Sequence, residues 1–163
     1  MKNFSLTIES PLGLISLISD ETHLKSLTFD GEQVEDSENQ PEILRRTALQ
    51  LKEYFSGTRI HFDLDIDADG TGFQQKVWQK LIQVPYGLTK SYRDIAVELG
   101  SVLNSRAVGT ANGKNPVLIV VPCHRIVGQD GKLAGYSGGL ERKKWLLLHE
   151  AKHTQSNLLF WNI

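Results

Sequence analysis

An uninterrupted apolar run, Val117 to Val121, restricts the fold of this chain more than any other segment. It has the sequence VLIVV and lies between two prolines, Pro116 and Pro122. A continuous β-branched run of this length predicts a strand that is buried on both faces. Because proline cannot donate to a strand ladder, we expect that strand to end at Pro122. The residues that follow, CHRIV, then lie at the end of a buried strand.

The residue after Pro122 is Cys123, the only cysteine among 163 residues. A single cysteine excludes an internal disulfide and is typical of a reducing, cytoplasmic compartment. The simplest interpretation is a small buried hydrophobic side chain. The adjacent His124 suggests a second interpretation, in which Cys123 is a nucleophile. An imidazole held by a carboxylate can accept the thiol proton, directly or through a water. The residues alone leave five acids open for that role: Asp94, Glu98, Asp130, Glu141 and Glu150.

Charge is divided unevenly along the chain. Residues 1–70 contain six Lys or Arg against fourteen Asp or Glu, whereas residues 71–163 contain twelve against five. A basic second half predicts an acidic partner such as nucleic acid. Docking of two oppositely charged halves on each other explains the division equally well.

Residues 1–70 are predicted to form a small α/β scaffold domain. Alternating apolar residues predict strands in NFSLTIE, LISLIS and LKSLTF, and a fourth strand that turns Phe62, Leu64 and Ile66 inward. A helix is expected to begin at Pro41 and to end at Ser56–Gly57. One face of this helix carries Leu44, Ala48, Leu51 and Phe55. No apolar run is long enough to predict a membrane span or a signal peptide.

Residues 71–163 are predicted to form a mainly helical second domain. Thr71 and Gln74 predict a capping box at the start of its first helix. Two short helical segments, SYRDIAVELG and SRAVGTANG, are joined by the turn SVLN with Gly100 at the bend, which indicates a helix-turn-helix. Many such pairs never contact DNA, but the basic charge of this half favours DNA binding.

Two metal-binding motifs in the sequence are incomplete. DIDADG matches the start of a calcium-binding EF-hand loop, but the twelfth position holds Lys76 where calcium requires a glutamate. HEAKH, His149 to His153, matches a zinc-peptidase helix, yet the segment after it contains no His, Asp or Glu as a third ligand. We therefore expect no metal.

Six segments occur in an order that resembles the O6-alkylguanine-DNA alkyltransferases: FQQKVWQKL, VPYG, SYRDIA, SRAVGTANGKNP, VPCHRIV and GYSGGLERKKWLLLHE. The resemblance is close over residues 71–152 and only general before them. It implies an α+β fold with a ribonuclease H-like N-terminal domain and a winged-helix-like C-terminal domain. It also implies direct repair of double-stranded DNA by a monomer without a cofactor. In that reaction an alkyl group moves irreversibly from O6 of guanine, or from O4 of thymine, to the protein's own cysteine.

The resemblance also implies a role for each matching position. Cys123 would accept the alkyl group, His124 would take its proton through a water, and Glu150 would orient His124. Asn115 would hold this network, and Tyr92 would supply a proton toward N3 of the departing guanine. The pocket for the base would comprise Tyr136, Ser137, Gly138 and Ile126. Arg106 would fill the space of the flipped-out nucleotide, and further DNA contacts would come from Ser91, Arg93, Ala107, Gly109, Thr110, Lys114 and Arg125.

Three other functions fit the sequence less well than DNA repair. A helix-turn-helix regulator without chemistry leaves the PCHR segment unexplained. A cysteine hydrolase needs an oxyanion hole, which no motif here marks. A zinc peptidase lacks its third ligand.

Overall fold

The computed structural model describes residues 2–31 and 35–154. The chain divides into two compact units, Met1–Asp69 and Gly70–Ile163. Within the described residues, no helix is both long enough and apolar enough to cross a bilayer.

The first unit contains a three-stranded antiparallel sheet and one helix. The strands β1 (Phe4–Ile8), β2 (Ile15–Ser19) and β3 (Leu24–Phe29) lie side by side in that order, which confirms the three predicted strands. The helix α1 (Glu42–Phe55) follows Pro41 as expected. Its buried face is broader than the predicted one, because Ala48 and Phe55 are only half-buried. The buried residues of α1 are Ile43, Leu44, Thr47, Gln50, Leu51 and Tyr54.

The predicted fourth strand is reduced to a single parallel bridge between Ile66 and Leu24. Its residues alternate between half-buried and exposed, so the predicted alternation is present although the predicted strand pairing is not. The reason is that a side chain of α1 takes the place of a neighbouring strand. The Gln50 amide donates to the Asp63 carbonyl at 3.0 Å and accepts from the Asp63 N–H at 2.9 Å.

The second unit is mainly helical. The predicted capping box is present at its start, since the Thr71 side chain accepts from Gln74 N and the Gln74 side chain accepts from Thr71 N. The predicted helix-turn-helix is formed by α3 (Tyr92–Glu98), a 3₁₀ turn over Val102–Asn104, and α4 (Ser105–Gly113). The elements in chain order are α2 (Gly72–Ile82), β4 (Lys90–Ser91), α3 (Tyr92–Glu98), α4 (Ser105–Gly113), a 3₁₀ turn at Cys123–Arg125, β5 (Ile126–Val127) and α5 (Leu140–His153). β4 and β5 pair in parallel.

The segment Val117–Val121 is fully buried, as predicted, but it is not a strand. It forms a compact turn in which the Val121 N–H donates to the Val117 carbonyl at 3.0 Å. Asn115 spans the same turn, accepting from Val117 N at 2.9 Å and donating to the Val121 carbonyl at 2.8 Å. Ile119 adopts a left-handed φ of 70°, which is strained for a β-branched residue. These local partners satisfy backbone groups that a strand would have paired across a sheet.

Candidate active site

The site is built around two buried side chains that come from distant parts of the chain. His124 lies in the 3₁₀ turn that begins at Cys123, and Glu150 lies near the end of α5. His124 Nε2 donates to Glu150 Oε2 at 2.6 Å, and neither side chain is exposed to solvent. Cys123, next to His124, is also buried. The structure thus brings together His124 and one of the five acids that the residues alone left open.

A third buried side chain completes the ion pair. Arg125 donates to both Glu150 oxygens, from Nε at 2.7 Å and from Nη2 at 3.1 Å, and its Nη1 donates to the Val84 carbonyl at 2.8 Å. The prediction that Arg125 contacts DNA is therefore wrong for this structure, because a guanidinium fixed in the interior cannot reach a phosphate. Arg125 instead holds the carboxylate that holds His124.

Gly87, in the VPYG segment, also contacts Glu150. Its N–H donates to Glu150 Oε1 at 3.3 Å, and its φ of 80° lies in the left-handed region. A Cβ atom at Gly87 would lie 2.3 Å from Thr154 Cγ2. Both the backbone angle and the close approach therefore require glycine.

The surroundings determine the charge on the pair. Burial alone would raise the pKa of Glu150, but the charges and hydrogen bonds of His124 and Arg125 outweigh it and hold the pKa far below its usual range. Burial lowers the pKa of His124, and the nearby Arg125 and Lys143 cations lower it further, although Glu150 opposes them. At neutral pH Glu150 is therefore ionised and the neighbouring His124 is neutral.

The tautomer of His124 follows from these contacts. Because Nε2 donates to Glu150, the proton of the neutral ring lies on Nε2 and leaves a lone pair on Nδ1. Nδ1 is buried and has no hydrogen-bond partner among the described residues. His124 is thus prepared to accept one more proton.

The Cys123 thiol needs such an acceptor. Burial raises its pKa to about 11, and the hydrogen bond from Asn115 and the Lys143 charge offset only part of that effect. A thiol with this pKa is protonated at neutral pH, and a thiol is a poor nucleophile. A neutral thiol is therefore followed in the chain by a residue, His124, that can act as a base.

Lys143 is a site residue that sequence reasoning missed. The basic segment ERKK, residues 141–144, predicts a solvated helix face or phosphate contacts, yet Lys143 is fully buried. Nζ donates to three carbonyls, those of Ile126 at 2.6 Å, Ala134 at 2.6 Å and Gly135 at 3.2 Å. Burial lowers its pKa to about 8. Helical spacing from Leu146, Leu147 and Glu150 was the signal that could have identified it.

The residues expected to surround a base lie beside this cluster. The Tyr92 hydroxyl donates to the Ala134 carbonyl at 3.0 Å, and burial raises its pKa. The Tyr136 hydroxyl is buried and has no hydrogen-bond partner among the described residues. Gly138 is buried and Ser137 is exposed, whereas Ile126 is buried with its carbonyl bound to Lys143.

Most residues expected to contact DNA lie on the exposed side of the helix-turn-helix. The exposed members are Arg93, Arg106, Ala107, Thr110 and Lys114. Gly109 is half-buried, with its Cα facing the Tyr92 ring. Ser91 departs from the prediction, because it is buried and its hydroxyl caps α3 by accepting from Asp94 N at 3.0 Å.

The HEAKH segment forms the last turn of α5. The rings of His149 and His153 lie 4.4 Å apart, while the glutamate of the motif turns away to His124. Within the described ranges, no group of three or more His, Cys, Asp or Glu residues could hold a metal ion. The zinc-peptidase hypothesis therefore finds no support in the helix that suggested it.

Two models of known protein families match the chain. The DNA-binding domain of 6-O-methylguanine DNA methyltransferase matches residues 72–152, and the ribonuclease-like domain of the same protein matches residues 4–68. The chain belongs to the 6-O-methylguanine DNA methyltransferase family. The resemblance inferred from six sequence segments is thereby confirmed.

Individual methyltransferases resemble the chain over almost its whole length. A methylated-DNA–protein-cysteine methyltransferase of Mycolicibacterium paratuberculosis is 42% identical over 161 residues, which cover 96% of this chain and 97% of the relative. A protein of the same name from Methanosarcina barkeri is 46% identical over 145 residues, which cover 86% and 92%.

Solved methyltransferase structures agree with the fold. The Mycobacterium tuberculosis O6-methylguanine methyltransferase superimposes with a TM-score of 0.84 at 40% identity, covering 97% of this chain and 98% of that one. A structure of the Mycobacterium tuberculosis protein in complex with DNA gives 0.82 at 43% identity, covering 90% and 92%. The predicted α+β class, with a small N-terminal sheet domain and a helical C-terminal domain, is confirmed.

Proposed function

We propose that this methyltransferase repairs double-stranded DNA directly, by moving an alkyl group from O6 of guanine to Cys123 Sγ. The observation that carries the proposal is the buried His124–Glu150–Arg125 cluster beside the only cysteine in the chain. A regulator without chemistry has no use for a buried base of this kind. Activity on O4-alkylthymine and action as a monomer in the cytoplasm belong to the same proposal.

The reaction begins with a proton transfer. The Sγ proton passes through a water to His124 Nδ1, and Glu150 stabilises the imidazolium that forms. The thiolate then attacks the alkyl carbon, forming an S–C bond while the C–O6 bond breaks. The guanine leaves with the electron pair of that bond and takes a proton at N3 from the Tyr92 hydroxyl. Since this hydroxyl is bound to the Ala134 carbonyl, it must turn from Ala134 to the base.

Guanine O6 lies inside a base-paired stack, so the nucleotide must first be flipped out. Arg106, which is exposed at the start of α4, then fills the space that the nucleotide leaves. The small residues Ala107 and Gly109 allow α4 to approach the DNA backbone closely, which suits the minor groove. Arg93 and Lys114 supply phosphate contacts, which carry affinity without sequence preference.

Transfer of label tests this proposal. The protein is incubated with duplex DNA that carries a radiolabelled methyl group on guanine O6, and the proteolysed product is mapped. We expect the label on the peptide that contains Cys123. Label that stays on the DNA, or that appears as free methanol, would reject transfer to the protein.

Glu150→Gln should slow methyl transfer by about 10²- to 10⁴-fold at neutral pH, the usual contribution of acid–base catalysis. Without the carboxylate, His124 becomes a weaker base, so the thiolate forms only at higher pH. The rate–pH profile should therefore move upward. Single-turnover rates between pH 6 and pH 10 measure this shift. The exposed Glu141→Gln serves as the control on the same helix, and an unshifted profile in Glu150→Gln would contradict the role of Glu150.

A further inference from the structure

Leu103 is an unusually exposed apolar residue. It lies in the 3₁₀ turn of the helix-turn-helix, and 90% of its surface is accessible. The other exposed large hydrophobic residues in the described part of the chain have at most 58% accessible, the value for Leu49. The Leu103 side chain therefore gains almost no packing from its own protein.

Leu103 adjoins the exposed face of α4. The turn joins this helix through Asn104, whose angles (φ −87°, ψ 8°) depart from those of an α-helix, and through Ser105, whose angles (φ −56°, ψ −39°) are helical. The exposed Arg106, Ala107 and Thr110 lie on one face of α4, and the first two follow Leu103 by only three and four residues. The opposite face of α4 carries the buried Val108, Ala111 and Asn112.

Cations without acidic partners flank this face. Residues 90–114 contain four basic and two acidic side chains. Both acids are engaged, Asp94 by accepting from Ser91 N at 2.8 Å and Glu98 by pairing with Lys90. Among the described residues, none forms an ion pair with Arg93, Arg106 or Lys114. The charge of this face thus matches a polyanion.

The turn itself offers few polar groups to a partner. The Ser101 hydroxyl accepts from Leu103 N at 3.2 Å, and the Ser105 hydroxyl donates to the Val102 carbonyl at 2.8 Å. An apolar tip therefore projects from a turn whose serines are already bonded. Many minor-groove proteins combine Arg and Lys side chains with an apolar side chain, such as Leu, that enters the groove at a base step.

We propose that Leu103 enters the minor groove beside Arg106 and packs against the deoxyribose wall next to the flipped nucleotide. This inference rests on the proposed function. It adds an apolar DNA contact to the phosphate contacts that the basic residues of the protein supply. The contact is apolar, so its contribution to affinity is independent of salt. Phosphate contacts differ, because each one releases a counterion and steepens the salt dependence.

Binding titrations at several salt concentrations separate the two kinds of contact. The probe is a duplex with one O6-methylguanine, and all proteins carry Cys123→Ala so that the lesion persists. Leu103→Ala should raise Kd about five- to thirtyfold at every salt concentration, with an unchanged slope of log Kd against log salt. Arg93→Ala should instead reduce that slope by about 0.9. Leu49→Ala, at the exposed leucine of α1, should change neither quantity.

Each outcome decides for or against the proposal. If Leu103→Ala binds like Leu49→Ala, or lowers the salt slope, Leu103 does not make an apolar DNA contact. If sedimentation shows that Leu103→Ala dissociates an oligomer, Leu103 contacts a second chain and the proposal fails. In protein that keeps Cys123, Leu103→Ala should not change the rate of reaction with free O6-benzylguanine. This result would verify that the variant is folded. Absence of label transfer to wild-type protein would reject the proposed reaction, whereas the affinity comparison would still decide the role of Leu103.

Discussion

Cys123→Ala should abolish methyl transfer completely and leave DNA affinity within about twofold of wild type. The physical reason is that the sulfur supplies the chemistry while phosphate contacts supply most of the affinity. The substitution removes one buried atom, so we expect a loss of about 1 kcal/mol in the free energy of unfolding. Gel-shift titration and label transfer on the same preparation measure the two functions separately.

The control for this variant is Cys123→Ser, which keeps the size of the side chain and replaces thiol by hydroxyl. It should also bind DNA and transfer nothing, because a hydroxyl is far harder to deprotonate than a thiol. Retained transfer in either variant would assign the acceptor to another residue. Loss of DNA binding by folded Cys123→Ala would show that the cysteine is mainly structural.

Arg125→Met should lower the free energy of unfolding by about 3–5 kcal/mol, since it leaves the buried Glu150 charge without its main cation. Arg93→Met, at an exposed arginine, should change it by less than about 0.5 kcal/mol. Urea titration measures both. Equal stability of the two variants would contradict the role of Arg125 in the interior.

The double variant Arg125→Met with Glu150→Gln tests whether the loss comes from the unpaired charge. It should be more stable than Arg125→Met alone, because the charge has been removed together with its partner.

The pH dependence of the stability of Arg125→Met follows from the lowered pKa of Glu150. Its stabilisation is present above the ordinary pKa of 4.5 and is lost as pH falls through the folded value, so the deficit of Arg125→Met should shrink below pH 4.5.

Local patterns in the sequence predicted much of the fold. Alternation identified β1 to β3, and the Thr71–Gln74 capping box marked the start of α2. The pattern failed at Val117–Val121, where an apolar run shows burial but does not show which backbone groups pair. Asn115 satisfies that turn through its side chain, a local side-chain contact that the periodicity of apolar residues does not reveal.

The site was harder to predict than the fold. The resemblance implies that Cys123, His124 and Glu150 act together, and the structure joins two of them, His124 and Glu150, by a hydrogen bond. Arg125 and Lys143 were misinterpreted because a basic residue is usually exposed, and only the tertiary structure reveals acceptors in the interior. The sequence assigns Leu103 to a turn but does not show that its side chain is exposed, because the exposure depends on how that turn joins α4.

The central claim is irreversible transfer to Cys123, and stoichiometry tests it most directly. Once alkylated, Cys123 is a thioether, which resists hydrolysis, and no second cysteine is present. The measurement is a titration of the protein with excess O6-methylguanine duplex, followed by intact mass and peptide mapping. We predict that repair stops at one lesion per chain and that each chain gains one methyl group, on Cys123. Repaired lesions well in excess of the protein, or a methyl group on another residue, would contradict it.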